Sequence, residues 1–263
     1  MLIRLAILLL LAGPMTAMAQ SRYNFFTIGV DQGLSNPDIW AINQDKNGYI
    51  WIGTVNGLNR YDGHVIKQYF NKPDDKNSIA GNICYWIFRD SDQDMWFACG
   101  NGGLSRYNYT NDNFESLPAY DSARKQNRYR SPVWRFGEDR QKRIYLSCGA
   151  ACYRYDKRSK KFEDLTPLFG PGWDHGIGRF YMENDSIMWI PTDDGLFRYN
   201  VPANKMRKIP FDVEKLGYGL SAMYDIEKIN DQEVILTMGR AGYIKFNTRT
   251  ETFRPADDQV NPA

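Results

Sequence analysis

The sequence is poor in the residues that usually carry chemistry. Its 263 residues include only two histidines, His64 and His175, and four cysteines, Cys84, Cys99, Cys148 and Cys152. None of these falls at the close spacing of a metal site, so no metal centre is expected. Neither histidine accompanies a serine or cysteine in a motif such as G-x-S-x-G, which removes the usual arrangement for a covalent nucleophile. Acidic residues are plentiful, but Asp45, Asp90 and Asp139 recur in turn-like clusters, where aspartate initiates turns. A glycosidase would need two carboxylates converging in one cleft. "DKNGY" and "DSDQD" lack the length and closing glutamate of a calcium loop, and no helix follows "GNGGL" to make it a nucleotide loop. The expectation is a protein that is not an enzyme and holds no cofactor.

Net charge is also scarce. Thirty-three basic residues against 31 acidic ones leave a formal +2, which gives no electrostatic case for nucleic acid or an anionic membrane. Long hydrophobic runs are limited to one. "MLIRLAILLLLAGPMTAMAQ" carries Arg4, an apolar run from Leu5 to Ala12, and small residues at Ala17 and Ala19. That is the pattern of a secretory signal peptide, residues 1–19, cleaved after Ala19. No later run is long enough to span a membrane. An exported, periplasmic protein with no transmembrane segment after cleavage is expected, its charge reduced to +1 by the loss of Arg4. Export permits disulfides. Cys148 and Cys152 could face each other across a hairpin, or all four cysteines could be buried thiols acting as small hydrophobes.

What the sequence has in abundance is repetition. "GYIWIGTVNGLNRYDG" from Gly48 is echoed by "DMWFACGNGGLSRYN" from Asp94 and "SIMWIPTDDGLFRYN" from Ser186. Worn copies are "RIYLSCGAACYRYD" and "EVILTMGRAGYIKFN". The closing aromatics, Tyr61, Tyr107, Tyr155, Tyr199 and Phe246, are 46, 48, 44 and 47 residues apart. The opening aromatics are Trp51, Trp96, Tyr145 and Trp189, with Ile235 in the fifth place. A period near 45 residues belongs to a propeller blade or a long helical repeat. Alternating apolar residues cut by Asp, Asn and Gly clusters favour four short strands per unit, and no unit contains a ten-residue stretch of helical periodicity. The fold expected is therefore all-β, a propeller of about five four-stranded blades at roughly 34–78, 79–120, 128–167, 174–212 and 219–258.

Within that fold the opening aromatics lie on second strands and wedge between blades. Gly57, Gly103 and Gly195 suit tight turns that need positive φ. The basic column Arg60, Arg106, Arg154, Arg198 and Lys245 is read as a solvated strand face, or as pairing locally with the Asp or Asn after each tyrosine. "RYNFFTIG", within 20–33, reads as a leading outer strand, yet the fifth unit already has its own fourth strand in "TFRPAD". The long connections and second-to-third-strand turns are where a ligand would meet the scaffold. Aligning units on Asp45, Asp90 and Asp139 places Trp40, Tyr85 and Trp134 at one equivalent point near the start of the inner strand. They form either a ring of sugar-stacking aromatics or packing between inner strands. Asn56, Asn101, Asp193 and Asp194 are candidate hydroxyl partners. Trp173, His175 and Tyr218 lie in long connections, with Trp173 in a Gly-rich loop unlike core.

"LSNPDIWAINQDKNGYIWIGTVNGLNRYDG", Leu34 to Gly63, resembles the two-component regulator propeller repeat. The resemblance extends across the five units, strongest in the first, second and fourth. It implies the periplasmic sensor half of a hybrid two-component protein, many of which respond to oligosaccharides. It also implies seven-bladed rings followed by a membrane span and a histidine kinase. This chain is too short to hold them, so a fragment or truncated copy of an incomplete ring is expected, with a closed five-bladed ring as the alternative. An open arc would expose apolar faces on the first and last blades. The rival functions are a periplasmic protein-interaction scaffold and a propeller-type polysaccharide lyase or hydrolase.

Overall fold

The computed structural model describes residues 25–256, apart from 101–102, 118–119, 122–125, 128–132, 134, 213–221 and 240–241. The signal-peptide reading of residues 1–19 falls outside the described residues. Alternation of apolar and polar residues, punctuated by Asp, Asn and Gly turns, folds each unit into an antiparallel sheet whose strands pair in sequence order. The first blade is β1 (Ile39–Gln44), β2 (Ile50–Thr54), β3 (Leu58–Tyr61) and β4 (Ile66–Tyr69). The second is β5 (Cys84–Arg89), β6 (Met95–Cys99), β7 (Gly103–Asn108) and β8 (Asn113–Leu117). A two-stranded hairpin, β9 (Tyr120–Asp121) and β10 (Gln126–Asn127), interrupts the series. The third blade is β11 (Arg135–Glu138), β12 (Arg143–Cys148), β13 (Ala151–Asp156) and β14 (Lys161–Asp164). The fourth is β15 (Tyr181–Asn184), β16 (Ile187–Thr192), β17 (Gly195–Asn200) and β18 (Lys205–Lys208). The fifth is β19 (Asp225–Lys228), β20 (Glu233–Met238), β21 (Gly242–Asn247) and β22 (Thr252–Pro255).

The recurrent aromatics explain the repeat. Trp51, Trp96, Tyr145 and Trp189 sit on second strands with at most 1 % exposure. Each touches the closing aromatic of the following blade: Trp51 meets Tyr107, Trp96 meets Tyr155, Tyr145 meets Tyr199 and Trp189 meets Phe246, at centroid separations of 4.7, 5.8, 6.3 and 4.9 Å. One residue type from each unit thus completes the core of the next, at about 1.5–3 kcal/mol per buried side chain. The first tyrosine, Tyr61, has no preceding blade among the described residues and is half-buried, its hydroxyl donating to the Gly63 carbonyl at 2.6 Å.

The aspartates do more than start turns. Asp45 Oδ2 accepts the Trp51 indole N–H at 2.8 Å, Asp90 Oδ2 accepts that of Trp96 at 2.9 Å, and Asp139 Oδ2 accepts the Tyr145 hydroxyl at 3.0 Å. Their other oxygens hold turn amides, such as Tyr49 N, Asp94 N and Arg143 N. Glu183 does the same for Trp189 at 2.9 Å. A buried indole N–H needs an acceptor, and the turn carboxylate supplies it.

Several sequence expectations require correction. The basic column, in Arg60, Arg106, Arg154 and Arg198, engages partners other than the Asp or Asn after each tyrosine. It largely crosses the seams, Arg60 reaching Tyr107 Oη and Asp112, Arg154 reaching Tyr199 Oη, and Arg198 approaching Glu251 at 3.6 Å. Arg106 stays within its blade, on Asp94 and Glu115. The disulfide joins Cys84 to Cys99, which are directly opposed in the β5–β6 ladder. Cys148 and Cys152 are free thiols: the register pairs Cys148 with Ala151 and Cys152 with Ser147, so the two sulfurs enter cores on opposite faces of the third sheet. Gly57 and Gly195 have positive φ, at 111° and 106°, whereas Gly103 does not. Gly103 is required by close approach, since a Cβ there would run into Ala80 and would lie 2.7 Å from the Cys99 carbonyl.

No leading strand forms among the described residues. Residues 25–29 belong to no strand, Val30–Gln32 make one 3-10 turn, and Phe25 and Phe26 are 94 % and 73 % exposed. β22 already fills the fourth position of the last sheet, the place a closing strand would otherwise take. The two outward faces also differ. The first blade turns Ile42, Ile50 and Ile66 away from the second, and Ile42 is 61 % exposed. The fifth blade turns Ile235 and Tyr243 away from the fourth together with Glu227, Thr237, Lys245 and Arg254, so its outward face is the more charged of the two.

Candidate functional site

The loops from outer to inner strands and the turns between second and third strands share one end of the molecule. There the first two inner strands begin with a local irregularity. The β1–β2 register shifts between Ile39 and Ala41, and the β5–β6 register shifts between Cys84 and Trp86. Trp40 and Tyr85 are therefore the extra residues of two β-bulges, a device that re-aims a side chain out of the ladder. Their rings meet edge to face at 5.4 Å, and Trp40 is 49 % exposed while Tyr85 is half-buried. The disulfide lies beside this pair, at the first residue of β5.

Each bulged aromatic lies eleven residues before the buried aromatic of its second strand, Trp51 or Trp96. The same count from Tyr145, Trp189 and Ile235 reaches Trp134, Gly178 and Tyr224. Trp134 lies outside the described residues. Tyr224 is 50 % exposed and is a rim aromatic that the sequence reading missed. Alignment on the turn aspartates could not find it, because Ile229 stands where the fifth unit should have one; counting back from the second strand finds it. Gly178 is fixed by packing: a Cβ there would strike the Tyr224 carbonyl, which accepts Arg179 N at 3.2 Å.

One residue deeper stand Ala41, Trp86, Arg135, Arg179 and Asp225. The Arg135 guanidinium lies 4.7 Å from the Trp86 ring centroid. Arg179 pairs with Glu227 and lies 3.8 Å from Asp225. Burial pushes the proton affinity of Arg135 down; Asp225 opposes that shift and the like charge of Arg179 adds to it. A side chain from the third blade that touches the second and senses the fourth and fifth sits toward the common axis.

The other sequence candidates are placed differently. Trp173 is half-buried, stacked on Phe169 at 4.4 Å and edge to face with Phe197 at 5.2 Å, with its indole donating to the Ala150 carbonyl at 3.0 Å. It roofs the core between the third and fourth blades, contrary to the expectation for a Gly-rich loop, because Phe169 and Phe197 supply a packing surface that the loop backbone alone lacks. His175 is exposed, 5.0 Å from the Trp173 ring. Asp193 Oδ2 accepts Gly176 N at 2.9 Å, and Asp194 pairs with Lys208 at 2.7 Å, so both carboxylates are engaged in holding loops. Asn56 holds its turn through its backbone N–H, which donates to Thr54 Oγ1 at 3.1 Å. Asn101 and Tyr218 lie outside the described residues. A separate groove of about 380 Å³ runs between β4 and β8, where Asp112 is taken up by Arg60, Lys67, Tyr69 and Tyr107. Among the described residues no group of three His, Cys, Asp or Glu side chains could hold a metal ion, and no helix is long and apolar enough to cross a membrane.

Comparison with known proteins agrees with this architecture. Residues 33–56 match the family described as "Two component regulator propeller". A 60-residue stretch is 43 % identical to Histidine kinase P4 of Formosa agariphila, covering 23 % of this chain and 4 % of that protein. The fold is similar to the extracellular domain described for the hybrid two component system BT3049 of B. thetaiotaomicron, with a TM-score of 0.72 and 23 % identity over 88 % of this chain and 31 % of that one. It is also similar to the corresponding domain of BT4673 from the same organism, with a TM-score of 0.61 and 19 % identity over 76 % and 26 %. A third neighbour, YCF48 bound to D1 peptide, has a TM-score of 0.61 and 12 % identity over 89 % and 71 %. The chain spans less than a third of the two-component structures it matches. The chain is all-β, five four-stranded blades with the fold of these propellers, and within it residues 33–56 are similar to the two component regulator propeller repeat.

Proposed function

We propose that this chain is an extracytoplasmic, periplasmic ligand-sensing module of a two-component system, and that it takes an oligosaccharide at the inner-strand mouth. The observation that carries the reading is the bulged pair Trp40 and Tyr85, joined at the same rim position by the half-exposed Tyr224. Flat rings presented by a rigid scaffold suit the apolar faces of sugars, and bulges are a means of presenting them. The extracellular neighbours and the Cys84–Cys99 bond both support an oxidising, exported setting. Kinase activity would belong to a longer polypeptide or to a partner. Calorimetric titration of the parent and Trp40→Ala with an oligosaccharide panel tests the site. Loss of binding in a variant of unchanged melting temperature is expected; identical titration curves would remove the mouth from consideration.

A second reading has its own observation. Phe25, Phe26, Val30, Ile42 and Val65, all in or ahead of the first blade, are between 54 % and 94 % exposed. Such a patch favours a protein-contact role for that face. Pull-down from periplasmic extract, compared between the parent and Ile42→Glu, separates it from saccharide sensing.

A further inference from the structure

We infer that the Cys84–Cys99 disulfide is the lock that fixes Tyr85 at the mouth, which makes both cysteines positioning residues for the proposed ligand site. The inference rests on the saccharide reading above and adds how one of its rings is held. Its basis is the ladder between β5 and β6. Trp86 pairs with Ala98, so an unbroken antiparallel ladder would set Tyr85 opposite Cys99. The residue found there is Cys84, and Tyr85 is left over as the bulge.

The bond enforces that register. Neighbouring residues of a strand point to opposite faces, and a slip of one residue exchanges them. With Tyr85 opposite Cys99, Cys84 would point to the other face of the sheet, out of reach of its partner. The covalent link therefore excludes the unbulged ladder. In that ladder Tyr85 would share the face of Cys99, which lies in the core between the first and second blades with Trp51, Leu58 and Ile79. Its ring would leave Trp40 for that seam.

The first blade supplies the comparison. Its bulge at Trp40 has the same register, with Ile39 opposite Thr54 and Ala41 opposite Gly53. The backbone bond from Val55 N to the Asp38 carbonyl, at 3.1 Å, stands where that from Gly100 N to the Ile83 carbonyl, at 2.6 Å, stands in the second blade. Ile39 and Thr54 occupy the places of Cys84 and Cys99 without a covalent bond. One rim aromatic is thus chained and its neighbour is not, although their rings meet at 5.4 Å. Cys84 and Cys99 are 0 % and 1 % exposed, so the lock is sealed from solvent and is a fixture of the folded protein.

The test uses the whole chain and needs no ligand for its first readout. Amide hydrogen exchange is followed in the segments 84–87 and 39–42 of the parent, of Cys84→Ala/Cys99→Ala, and of Ile39→Cys/Thr54→Cys, which places an equivalent bond in the first blade. Loss of the native bond should speed exchange in 84–87 about tenfold or more while 39–42 and the body of β6 change little, because the freed strand samples two registers. The added bond should slow exchange in 39–42, and it decides the matter if the first variant fails to fold. Acceleration spread evenly over the second blade, or no change in 84–87, overturns the inference, since a merely stabilising bond acts on the whole sheet. The second readout is titration with cellohexaose, xylohexaose and laminarihexaose. Removal of the bond should weaken any probe that the parent binds about threefold or more, and should have no further effect in a Tyr85→Ala background. An equal loss in both backgrounds would show that the bond acts without Tyr85 and would overturn the positioning role. A parent that binds none of the probes counts against the saccharide reading and leaves the exchange result to decide the lock.

Discussion

The Trp96 indole donates to Asp90 Oδ2 at 2.9 Å, and the same oxygen receives the Lys157 ammonium from the next blade at 2.7 Å. Lys157 also reaches Asp92 and Glu138, so one carboxylate ties a turn, a buried indole and an interblade cation together. The arrangement couples the repeat's internal packing to the association of neighbouring blades.

Asp90→Ala is therefore expected to cost more than a surface-turn substitution. It leaves a buried indole N–H without its acceptor and removes one of three carboxylates around an ammonium whose side chain is 11 % exposed. About 2–4 kcal/mol is the expected loss, against about 1–3 kcal/mol for Trp96→Phe. Urea denaturation of both variants and of the double mutant measures the coupling. A cost below about 0.5 kcal/mol for Asp90→Ala would show that the link carries no stability.

Asp112 should make the first seam acid-sensitive. Burial pushes its carboxyl up, but hydrogen bonds from Lys67, Tyr107 and Tyr69 and the charge of Arg60 overcome that and hold it at about 2. A carboxyl depressed in the folded state contributes stability that is fully present above its ordinary value of 3.8 and disappears as pH falls to about 2. Asp112→Asn should thus melt below the parent at neutral pH, with the gap closing between about pH 4 and pH 2. A gap unchanged across that window would contradict the assignment.

The sequence disclosed the blades because each unit carries its own period: the Trp51 and Tyr61 positions recur often enough to mark second and third strands. It did not disclose that Trp51 touches Tyr107 and not Tyr61, since contacts between units are invisible to a repeat read one unit at a time. The cysteines failed for a related reason. Cys148 and Cys152 are near in sequence, but a hairpin register one residue out of step sends their sulfurs to opposite faces. Trp40 and Tyr85 were legible as equivalent positions, whereas the bulges that turn them outward depend on ladder geometry. Tyr224 was hidden by the loss of the turn aspartate used to align the units.

Thiol chemistry gives a direct check of the corrected disulfide. Mass spectrometry after digestion without reduction should recover the Cys84–Cys99 pair and no Cys148–Cys152 pair. Burial pushes both free thiols far above their usual range, so they should resist a thiol reagent in the native protein and react together on unfolding. Rapid labelling of either under native conditions would place it at the surface.

The apolar outward face of the first blade should limit solubility. Ile42→Glu adds charge to a side chain that is 61 % exposed and makes no seam in this chain. Light scattering is expected to show less self-association, with a melting temperature within about 2–4 °C of the parent. A large fall in melting temperature would mean that the face is packed in the isolated protein.

Gly178→Ala probes how the rim is held. The position corresponds to Trp40 and Tyr85, yet a side chain is excluded there because the Tyr224 carbonyl occupies its space. That carbonyl accepts Arg179 N at 3.2 Å, and Gly178 N donates to the Pro191 carbonyl at 2.8 Å, so the backbone has little freedom to retreat. An alanine must push the fifth inner strand away from the fourth, at a cost of about 1–3 kcal/mol. Gly63→Ala is the matched control: its φ of 101° carries the usual left-handed penalty, but nothing lies within 4 Å of the added carbon. Beyond a greater loss of stability, Gly178→Ala should weaken ligand binding by moving Tyr224 and Arg179 together, whereas Gly63→Ala should leave affinity unchanged. Equal affinities in the two variants would detach the fifth blade from the site and confine the rim to Trp40 and Tyr85.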